Sequence, residues 1–157
     1  MQKDKILSSE HFMNMAIMQA EKAGEKGDVP IGCVIVKDNK IIARGYNKRE
    51  KKKNSIAHAE IVAINKACKK LRTWKLQDCE IYVTMQPCLM CAGAIINSRI
   101  KKLYYGLSDD KPTSTTSYFN ENSLNHKVEI ESGLLADECK KLLQDFFINL
   151  RKNKKRD

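Results

Sequence analysis

The sequence predicts an α/β fold in which a mixed sheet of about five strands is covered by helices on both faces. Continuous β-branched runs, such as IGCVIV, indicate buried strands. Segments with apolar residues at helical spacing lie between most of these runs. The resulting order is helix, strand, strand, helix, strand, helix, strand, short strand and helix, which favours a sheet with helices on either side.

The first element is an N-terminal helix. The stretch SSEHFMNMAIMQAEKAG opens with serine, a favoured N-cap, and Gly24 can end the helix. The apolar residues at helical spacing are Phe12, Met15, Ala16 and Met18. The methionines in this stretch are more typical of a core than of a functional site.

A hairpin and a second helix follow. Residues 31–36 are predicted to form a buried strand, and residues 41–47, after a polar KDNK turn, its hairpin partner. Residues 58–71 predict a helix. Its apolar stripe consists of Ile61, Ile64 and Cys68.

The second half of the chain continues this alternation. Its predicted elements are a strand at 79–85, a helix at 88–99, a strand at 101–107, a loop at 112–123, a short strand at 127–132 and an amphipathic helix at 135–152. We find no internal repeat and no Pro- or Ser-rich linker. We therefore expect one domain over residues 1–157, with a basic C-terminal helix end at residues 135–157.

Composition and charge limit the class of protein. The chain is 42% hydrophobic and 31% charged, and no stretch approaches the roughly 18 apolar residues of a membrane span. The first residues lack the apolar core of a signal peptide, so we expect a cytoplasmic protein with mostly reduced cysteines. The net charge of +10 indicates a polyanionic partner such as nucleic acid. A generally lysine-rich surface would also raise the charge, but the clustering at residues 48–53 and 151–156 argues against that as the whole explanation.

The stretch TMQPCLMC places Cys88 and Cys91 three positions apart. Two such thiols can form a redox disulfide, bind a metal or pack in a core. A structural zinc site would need four protein ligands, and the sequence contains neither a second C-x-x-C nor a closely spaced histidine pair. His58 and Glu60, in the stretch HAE, complete the pattern H-x-E…P-C-x-x-C, the signature of zinc-dependent nucleobase deaminases.

These residue types suit hydrolytic deamination, in which oxygen replaces an amino group on an electron-poor ring carbon. Two thiolates and an imidazole can hold Zn²⁺ with one position open, and the ion makes water a stronger acid. We therefore expect one zinc per chain at His58, Cys88 and Cys91. Glu60 is the candidate that carries the proton from water to a ring nitrogen and to the departing amine. On residue type alone, Glu60 could instead be a solvated acid in a first helical turn.

At these residues the chain resembles the bacterial tRNA adenosine deaminases, which make inosine at the wobble position of the anticodon. The resemblance covers about residues 15–155 and includes DVPIGCVIVKDNKIIARGYNKRE, SIAHAEIVAI, CAGAI, NSRIKKLYYG, NHKVEIESGLLADEC and FFINLRKNKK. It implies a three-layer α/β/α cytidine deaminase-like fold and zinc-dependent deamination of adenosine to inosine. It also implies a homodimer whose subunits jointly bind the tRNA anticodon stem-loop.

The resemblance also implies substrate-binding residues. By position, Asn47 matches an asparagine that hydrogen-bonds the flipped base, and Asp109 matches an acidic residue near the target ribose. Three further positions match contacts to the anticodon loop, and they are Asn125, Phe147 and Arg151. From residue type alone, Asn47 would be a turn residue, Phe147 a core residue and Arg151 a solvated cation.

Two departures from the family pattern bear on selectivity. The family motif usually reads Glu-Pro-Cys-Pro-Met-Cys, whereas this chain has Gln86 and Leu89 at its first and fourth positions, so a charge near the site is lost. The stretch after Asp109 lacks the family's glycine- and alanine-rich pattern and is shorter.

Three other interpretations stay open at this point. A deaminase of a free nucleobase or nucleoside, of guanine or cytosine type, would keep every catalytic residue but would not need a basic tail. A zinc-stabilised RNA-binding protein that is not an enzyme would have no need of Glu60. A thiol redox protein would leave both His58 and Glu60 unexplained.

Overall fold

The computed structural model describes residues 5–109, 116–119, 121 and 125–154. Its helices are α1 (Ser9–Glu25), α2 (Arg49–Lys52), α3 (Ala59–Leu71), α4 (Leu89–Asn97), α5 (Thr116–Phe119) and α6 (Ala136–Lys154). Its strands are β1 (Gly32–Lys37), β2 (Lys40–Tyr46), β3 (Cys79–Met85), β4 (Lys102–Leu107) and β5 (Glu129–Glu131). This order confirms the predicted fold class of a mixed sheet flanked by helices.

The strands form one five-stranded sheet in the order β2-β1-β3-β4-β5. β1 is antiparallel to both β2 and β3, whereas β3, β4 and β5 are parallel. β2, β3 and β4 therefore point in one direction, and their carboxyl ends lie along one edge of the sheet. The segments that lead to α3 and α4, and residues 108–109, all leave the sheet at this edge. In open α/β sheets this is the edge where ligands bind.

Helices cover both faces of the sheet. α1 and α6 pack on one face, around a core that includes Phe12, Met13 and Val34. α3 and α4 pack on the other face, around a core that includes Ile35 and Ile81. Because β1 and β3 are covered on both sides, their sequences are nearly continuous apolar runs. In the described part of the chain, none of the helices has the length and the apolar composition that a membrane span requires.

The face that α1 buries differs in part from the predicted one. Phe12 and Ala16 are buried as predicted, but Met18 is 51% exposed, and Met13 is fully buried in its place. Both sets of residues have helical spacing, so the sequence alone did not distinguish them. Contact with β1, through residues such as Val34, selects the face that contains Met13.

Several helix bounds also differ from the predicted ones. α1 continues through Gly24 to Glu25 and caps at Lys26 instead. The short helix α2 was not predicted, and α5 lies within the stretch 112–123 that was predicted to be a loop. Residues 112–115, 120 and 122–123 of that stretch lie outside the described residues. These short segments have too few residues for a periodic pattern to identify them.

α3 packs closely on β2 through small residues. Ile61 and Cys68 of the predicted stripe are only partly buried, while Ala63 is fully buried at the centre of the face. A Cβ atom at Gly45 would overlap the carbonyl oxygen of Ala59 and lie 2.8 Å from the amide nitrogen of Ala63. Backbone contact at Gly45 therefore sets how closely the start of α3 approaches the end of β2.

We expect Gly45→Ala to lower the free energy of unfolding by about 1–3 kcal/mol, because the added methyl group meets backbone rather than a movable side chain. Denaturant unfolding measures the change. Gly93→Ala is the matched control, since a Cβ atom at Gly93, within α4, meets nothing within 4 Å. Alanine should leave that helix equally or more stable. Equal stability of the two variants would show that the contact at Gly45 yields without cost.

Candidate metal centre and active site

Three potential metal ligands converge at the edge where β2 and β3 end. His58 is the N-cap of α3, Cys88 is the N-cap of α4, and Cys91 lies in the first turn of α4. The Sγ atoms of both cysteines lie 3.6 Å from His58 Nδ1. The three ligand atoms all lie within 4.8 Å of one another. The fold thus brings together the three residues that the sequence suggested as ligands, although 30 residues separate His58 from Cys88.

The donor atoms fit a zinc ion. Zinc–sulfur and zinc–nitrogen bonds are about 2.3 and 2.0 Å long, so donor atoms 3.6 Å apart can reach one ion. Cys88 is the N-cap of α4, and the amino end of a helix favours the thiolate form of a cysteine. Three protein ligands leave a coordination position open, as in catalytic rather than structural sites. Within the described ranges, no other group of His, Cys, Asp or Glu side chains converges in this way.

Protons are shared within this cluster. Hydrogen bonds from Cys91 and from His58 lower the pKa of Cys88 to about 3. The same contact with Cys88, followed by burial, raises the pKa of Cys91. The hydrogen bond with Cys88 also raises the pKa of His58. One thiolate is therefore stabilised by two proton donors, and a divalent cation bound here would replace those protons.

Glu60 lies next to the cluster, in the first turn of α3. Its side chain is only 3% exposed, and its carboxyl group lies close enough to Cys91 for the two groups to shift each other's pKa. Burial raises the pKa of Glu60, because surroundings of low polarity disfavour the charged form. A carboxyl group whose pKa lies closer to neutrality is well suited to accept a proton and return it.

Asn47 connects the end of β2 to this site. Its side chain is buried, and its Oδ1 atom accepts the backbone N–H of Ala59 at 3.0 Å. Asn47 thereby caps α3, whose N-cap residue His58 makes no side-chain capping bond. Because only the amide oxygen can accept this bond, the orientation of the Asn47 amide is fixed, and its NH₂ group is the part left to meet a ligand.

Asp109 lies beside the segment that carries the cysteines. Its backbone N–H donates to Oε1 of Gln86 at 2.8 Å, and Gln86 is two residues before Cys88. The Gln86 side chain is buried. In the sequence, Gln86 was noted only as a lost charge, and its contact with Asp109 was missed. The available indication was a polar residue directly after a mainly apolar strand.

Phe147 and Arg151 lie on one side of α6. Together with Leu107 and neighbouring residues of α6, they line a groove of about 620 Å³. Leu107 is the last residue of β4, so the groove reaches the edge of the sheet where the cluster lies. Phe147 is 43% exposed, which corrects the residue-type expectation that it belongs to the core. Asn125 is exposed, and among the described residues no hydrogen bond links it to the cluster.

A second groove, of about 270 Å³, lies between α2 and α3. Ala57, the neighbour of His58, is part of its wall, so the groove adjoins the cluster. Its cationic lining residues are Lys48, Lys52, Lys66 and Lys69. Part of the basic block at residues 48–53 therefore faces the surroundings of the cluster.

Residues 7–151 match a family model described as MafB19-like deaminase. The tRNA-specific adenosine deaminase of Bacillus subtilis (strain 168) is 48% identical over 149 residues, which cover 93% of this chain and 92% of that protein. This chain belongs to the deaminase family. It is therefore an enzyme, and the alternatives of a non-catalytic RNA-binding protein and of a thiol redox protein fall away.

Two solved structures resemble this member of the deaminase family. One comes from work on A-to-I editing by tRNA:A34 deaminases at the wobble position of transfer RNA. It is 40% identical with a TM-score of 0.80, and the match covers 85% of this chain and 99% of that chain. The other is a guanine deaminase from Bacillus subtilis, which is 41% identical with a TM-score of 0.63 and covers 65% of this chain and 66% of its own.

Proposed function

We propose that this deaminase hydrolyses adenosine to inosine at the wobble position of a tRNA anticodon loop. The observation that carries the proposal is the meeting of His58, Cys88, Cys91 and Glu60 at one edge of the sheet. The match to tRNA-specific relatives over nearly the whole chain supports tRNA as the substrate. We also propose that residues 1–157 form one deaminase domain with a basic helix end.

In the proposed site, His58, Cys88 and Cys91 hold one zinc ion per chain. When bound, zinc supplies a Lewis acid that makes water a better nucleophile near neutral pH. The thiolates and the imidazole nitrogen supply the donors, and the helix ends that carry them hold those donors in place. Glu60 interacts with Cys91, and a carboxyl group beside the proposed ligands is suited to proton transfer there.

Glu60 acts as the proton carrier. It takes a proton from the attacking water and delivers it to the purine ring nitrogen next to the reacting carbon. It then passes the second proton to the amino group, which leaves as ammonia, so that water and adenosine yield inosine and ammonia. The burial that raises the pKa of Glu60 helps the carboxyl group to hold a proton between these steps.

Asn47 and Asp109 bind the target nucleotide in this proposal. The Asn47 amide donates from its NH₂ group to the base, because its oxygen is engaged by the Ala59 N–H. Asp109 meets the ribose from the end of β4. Withdrawing one base from its stack costs a few kcal/mol, and the cost is lowest in an unpaired loop, so an anticodon loop suits the enzyme better than a duplex.

The anticodon loop would bind along the two grooves that adjoin the site. Phe147 and Arg151 offer an exposed ring and a cation on α6, and we propose Asn125 as a further contact. The lysines between α2 and α3 would bind phosphates on the other side. This arrangement accounts for the excess of positive charge near the site.

We further propose a cytoplasmic homodimer. Three exposed apolar side chains lie close in sequence to the ligands, namely Ile56, Leu89 and Met90. Exposed apolar residues that adjoin one another favour a protein–protein contact. The cytoplasmic location is proposed because a tRNA substrate and six free thiols suit a reducing compartment.

The dimer can be tested separately from the location. Analytical ultracentrifugation of the wild type and of Leu89→Glu tests the dimer, which the added charge should weaken.

The direct test is to incubate the protein with total tRNA and to measure inosine by nucleoside mass spectrometry. Guanine, cytosine and adenosine are supplied as free compounds in parallel reactions. Inosine in the tRNA without turnover of the free compounds supports the proposal. Turnover of guanine or cytosine without inosine in the tRNA contradicts it and identifies the alternative, a deaminase of free nucleobases, which the likeness to a guanine deaminase favours.

Binding of tRNA should depend on the basic end of α6. We expect Arg151→Glu combined with Lys154→Glu to weaken tRNA binding and to flatten its salt dependence, while zinc content stays the same. Each lost phosphate contact lowers the slope of log affinity against log salt by about 0.7 to 0.9. A salt series of binding measurements with wild-type and variant protein provides the slopes.

The control for this prediction has the same change in charge at the opposite edge of the sheet. Lys70 lies in the last turn of α3 and Lys101 immediately before β4, and both are exposed. Lys70→Glu with Lys101→Glu should keep a slope close to that of the wild type. Equal slopes for the wild type and the α6 variant would show that the end of α6 is exposed to solvent and makes no contact with the phosphates of the tRNA.

A further inference from the structure

Gln86 joins the end of β3 to the chain that leaves β4. Its backbone N–H donates to the carbonyl oxygen of Leu107 at 2.8 Å, and its side-chain Oε1 accepts the Asp109 N–H at 2.8 Å. The side chain is 7% exposed and Asp109 is half-buried, so the second bond is partly shielded from water. A backbone donor that is partly shielded and loses its acceptor costs free energy, because water replaces the acceptor only in part.

The same residue lies two positions before Cys88, in the segment that leads from β3 into α4. The side-chain bond therefore ties Asp109 directly to the segment that carries two of the three proposed zinc ligands. β3 and β4 pair through Met85 and Leu107, and the Gln86 bond extends that register by two residues beyond the end of β4.

We propose that Gln86 is a positioning residue that holds Asp109 in register with the Cys88 segment, so that the Asp109 carboxylate can meet the sugar of the target nucleotide. The proposal rests on the proposed function, because it assigns Asp109 to the ribose. Gln86 acts through the Asp109 backbone and not on the substrate. The essential atom is Oε1, since only this atom accepts the Asp109 N–H.

Loss of this acceptor should separate binding from chemistry. Without it the Asp109 segment occupies several positions, and the RNA has to select one of them, which weakens binding. We expect KM for tRNA to rise about five- to tenfold, the factor that corresponds to one hydrogen bond. The value of kcat should stay within about twofold, because the proton still moves through Glu60. Zinc content should not change.

Two variants of Gln86 isolate the acceptor. Gln86→Met keeps nearly the same length and volume but removes the oxygen, whereas Gln86→Glu keeps an acceptor oxygen in place. We expect the methionine variant to have the raised KM and the glutamate variant to stay within about twofold of the wild type. The matched control is Thr84→Val, which removes another buried acceptor of a backbone N–H, that of Gly32 at 3.2 Å. It should lower stability without changing KM.

Hydrogen exchange at the Asp109 amide tests the contact independently of activity. Exchange should accelerate in Gln86→Met but not in Thr84→Val, because only the first variant removes the Oε1 acceptor of this amide. If the wild type makes no inosine, the proposed function fails, and exchange still shows whether Gln86 holds Asp109.

Four outcomes would overturn the positioning role. Unchanged exchange in Gln86→Met would show that the side chain does not hold Asp109. Faster exchange with an unchanged KM would show that the bond serves only the fold. An equal rise in KM for Gln86→Glu, or zinc loss in Gln86→Met, would show that the effect does not come from the acceptor oxygen acting on Asp109.

Discussion

We expect turnover to fall by roughly 10² to 10⁴ when Glu60 is replaced by glutamine, because glutamine keeps the shape of the side chain but cannot carry a proton. Zinc content and fold should be retained, since Glu60 is not one of the converging ligands. Burial raises the pKa of Glu60, so an uncharged amide suits the same surroundings, and the unfolding midpoint should not fall. Single-turnover rates on tRNA, elemental analysis and thermal unfolding measure the three quantities.

The control for Glu60→Gln is Glu10→Gln. Glu10 also lies in the first turn of a helix, α1, but it is exposed and distant in sequence from the cluster. The Glu10→Gln variant should keep the full rate of turnover. This result would show that removing an acidic residue from a first helical turn has no general effect on the rate. A near-normal rate in Glu60→Gln would mean that another group moves the proton.

Removal of Cys91 should eliminate both the metal and the activity. The Sγ atom of Cys91 is one of the three potential ligand atoms that converge, and it lies 3.6 Å from His58 Nδ1. The Cys91 side chain is fully buried. With two ligands left, we expect zinc per chain to fall from about one to near zero in Cys91→Ala after dialysis. The loss of turnover should be at least that of Glu60→Gln, roughly 10² or more, because water is then no longer activated.

Cys79→Ala is the matched control for this loss. Cys79 is equally buried, but it begins β3 at the opposite edge of the sheet, and burial raises its pKa to about 11, so it remains a thiol. The Cys79→Ala variant should retain both its zinc content and its turnover. Full zinc content in Cys91→Ala, or a disulfide between Cys88 and Cys91 in the native protein, would contradict the proposed metal site.

The local sequence predicted the elements that have a clear period and clear ends. β3 was predicted with its observed bounds, and β5 and the two-strand hairpin were predicted close to theirs. The hairpin turn forms because Asp38 and Asn39 accept positive φ values of 50° and 61°. The bounds of a strand and the type of a hairpin turn depend on residues that are close in the chain. They can therefore be predicted from the local sequence.

Exposure was predicted less well, because it depends on what packs against each element. Met18 and Phe147 are both apolar at helical positions, yet they are 51% and 43% exposed. Helical spacing states which residues share a face, but it does not state which face meets the sheet. The close approach of α3 to β2 at Gly45 was likewise absent from the pattern, since it joins residues on two separate elements.

For the candidate site, the sequence by itself determined the chemical groups: two thiols one helical turn apart, an imidazole, and a carboxyl group two residues beyond it. Only the tertiary structure decided that these groups meet and that Glu60 is buried against Cys91. The pairing of β1 between β2 and β3 brings the carboxyl ends of β2 and β3 to one edge, and α3 and α4 begin there. The contact of Gln86 with Asp109 follows from the same cause, since parallel pairing of β3 and β4 aligns their ends. Strand pairing joins residues far apart in the chain through backbone hydrogen bonds, which motif spacing along the sequence does not specify.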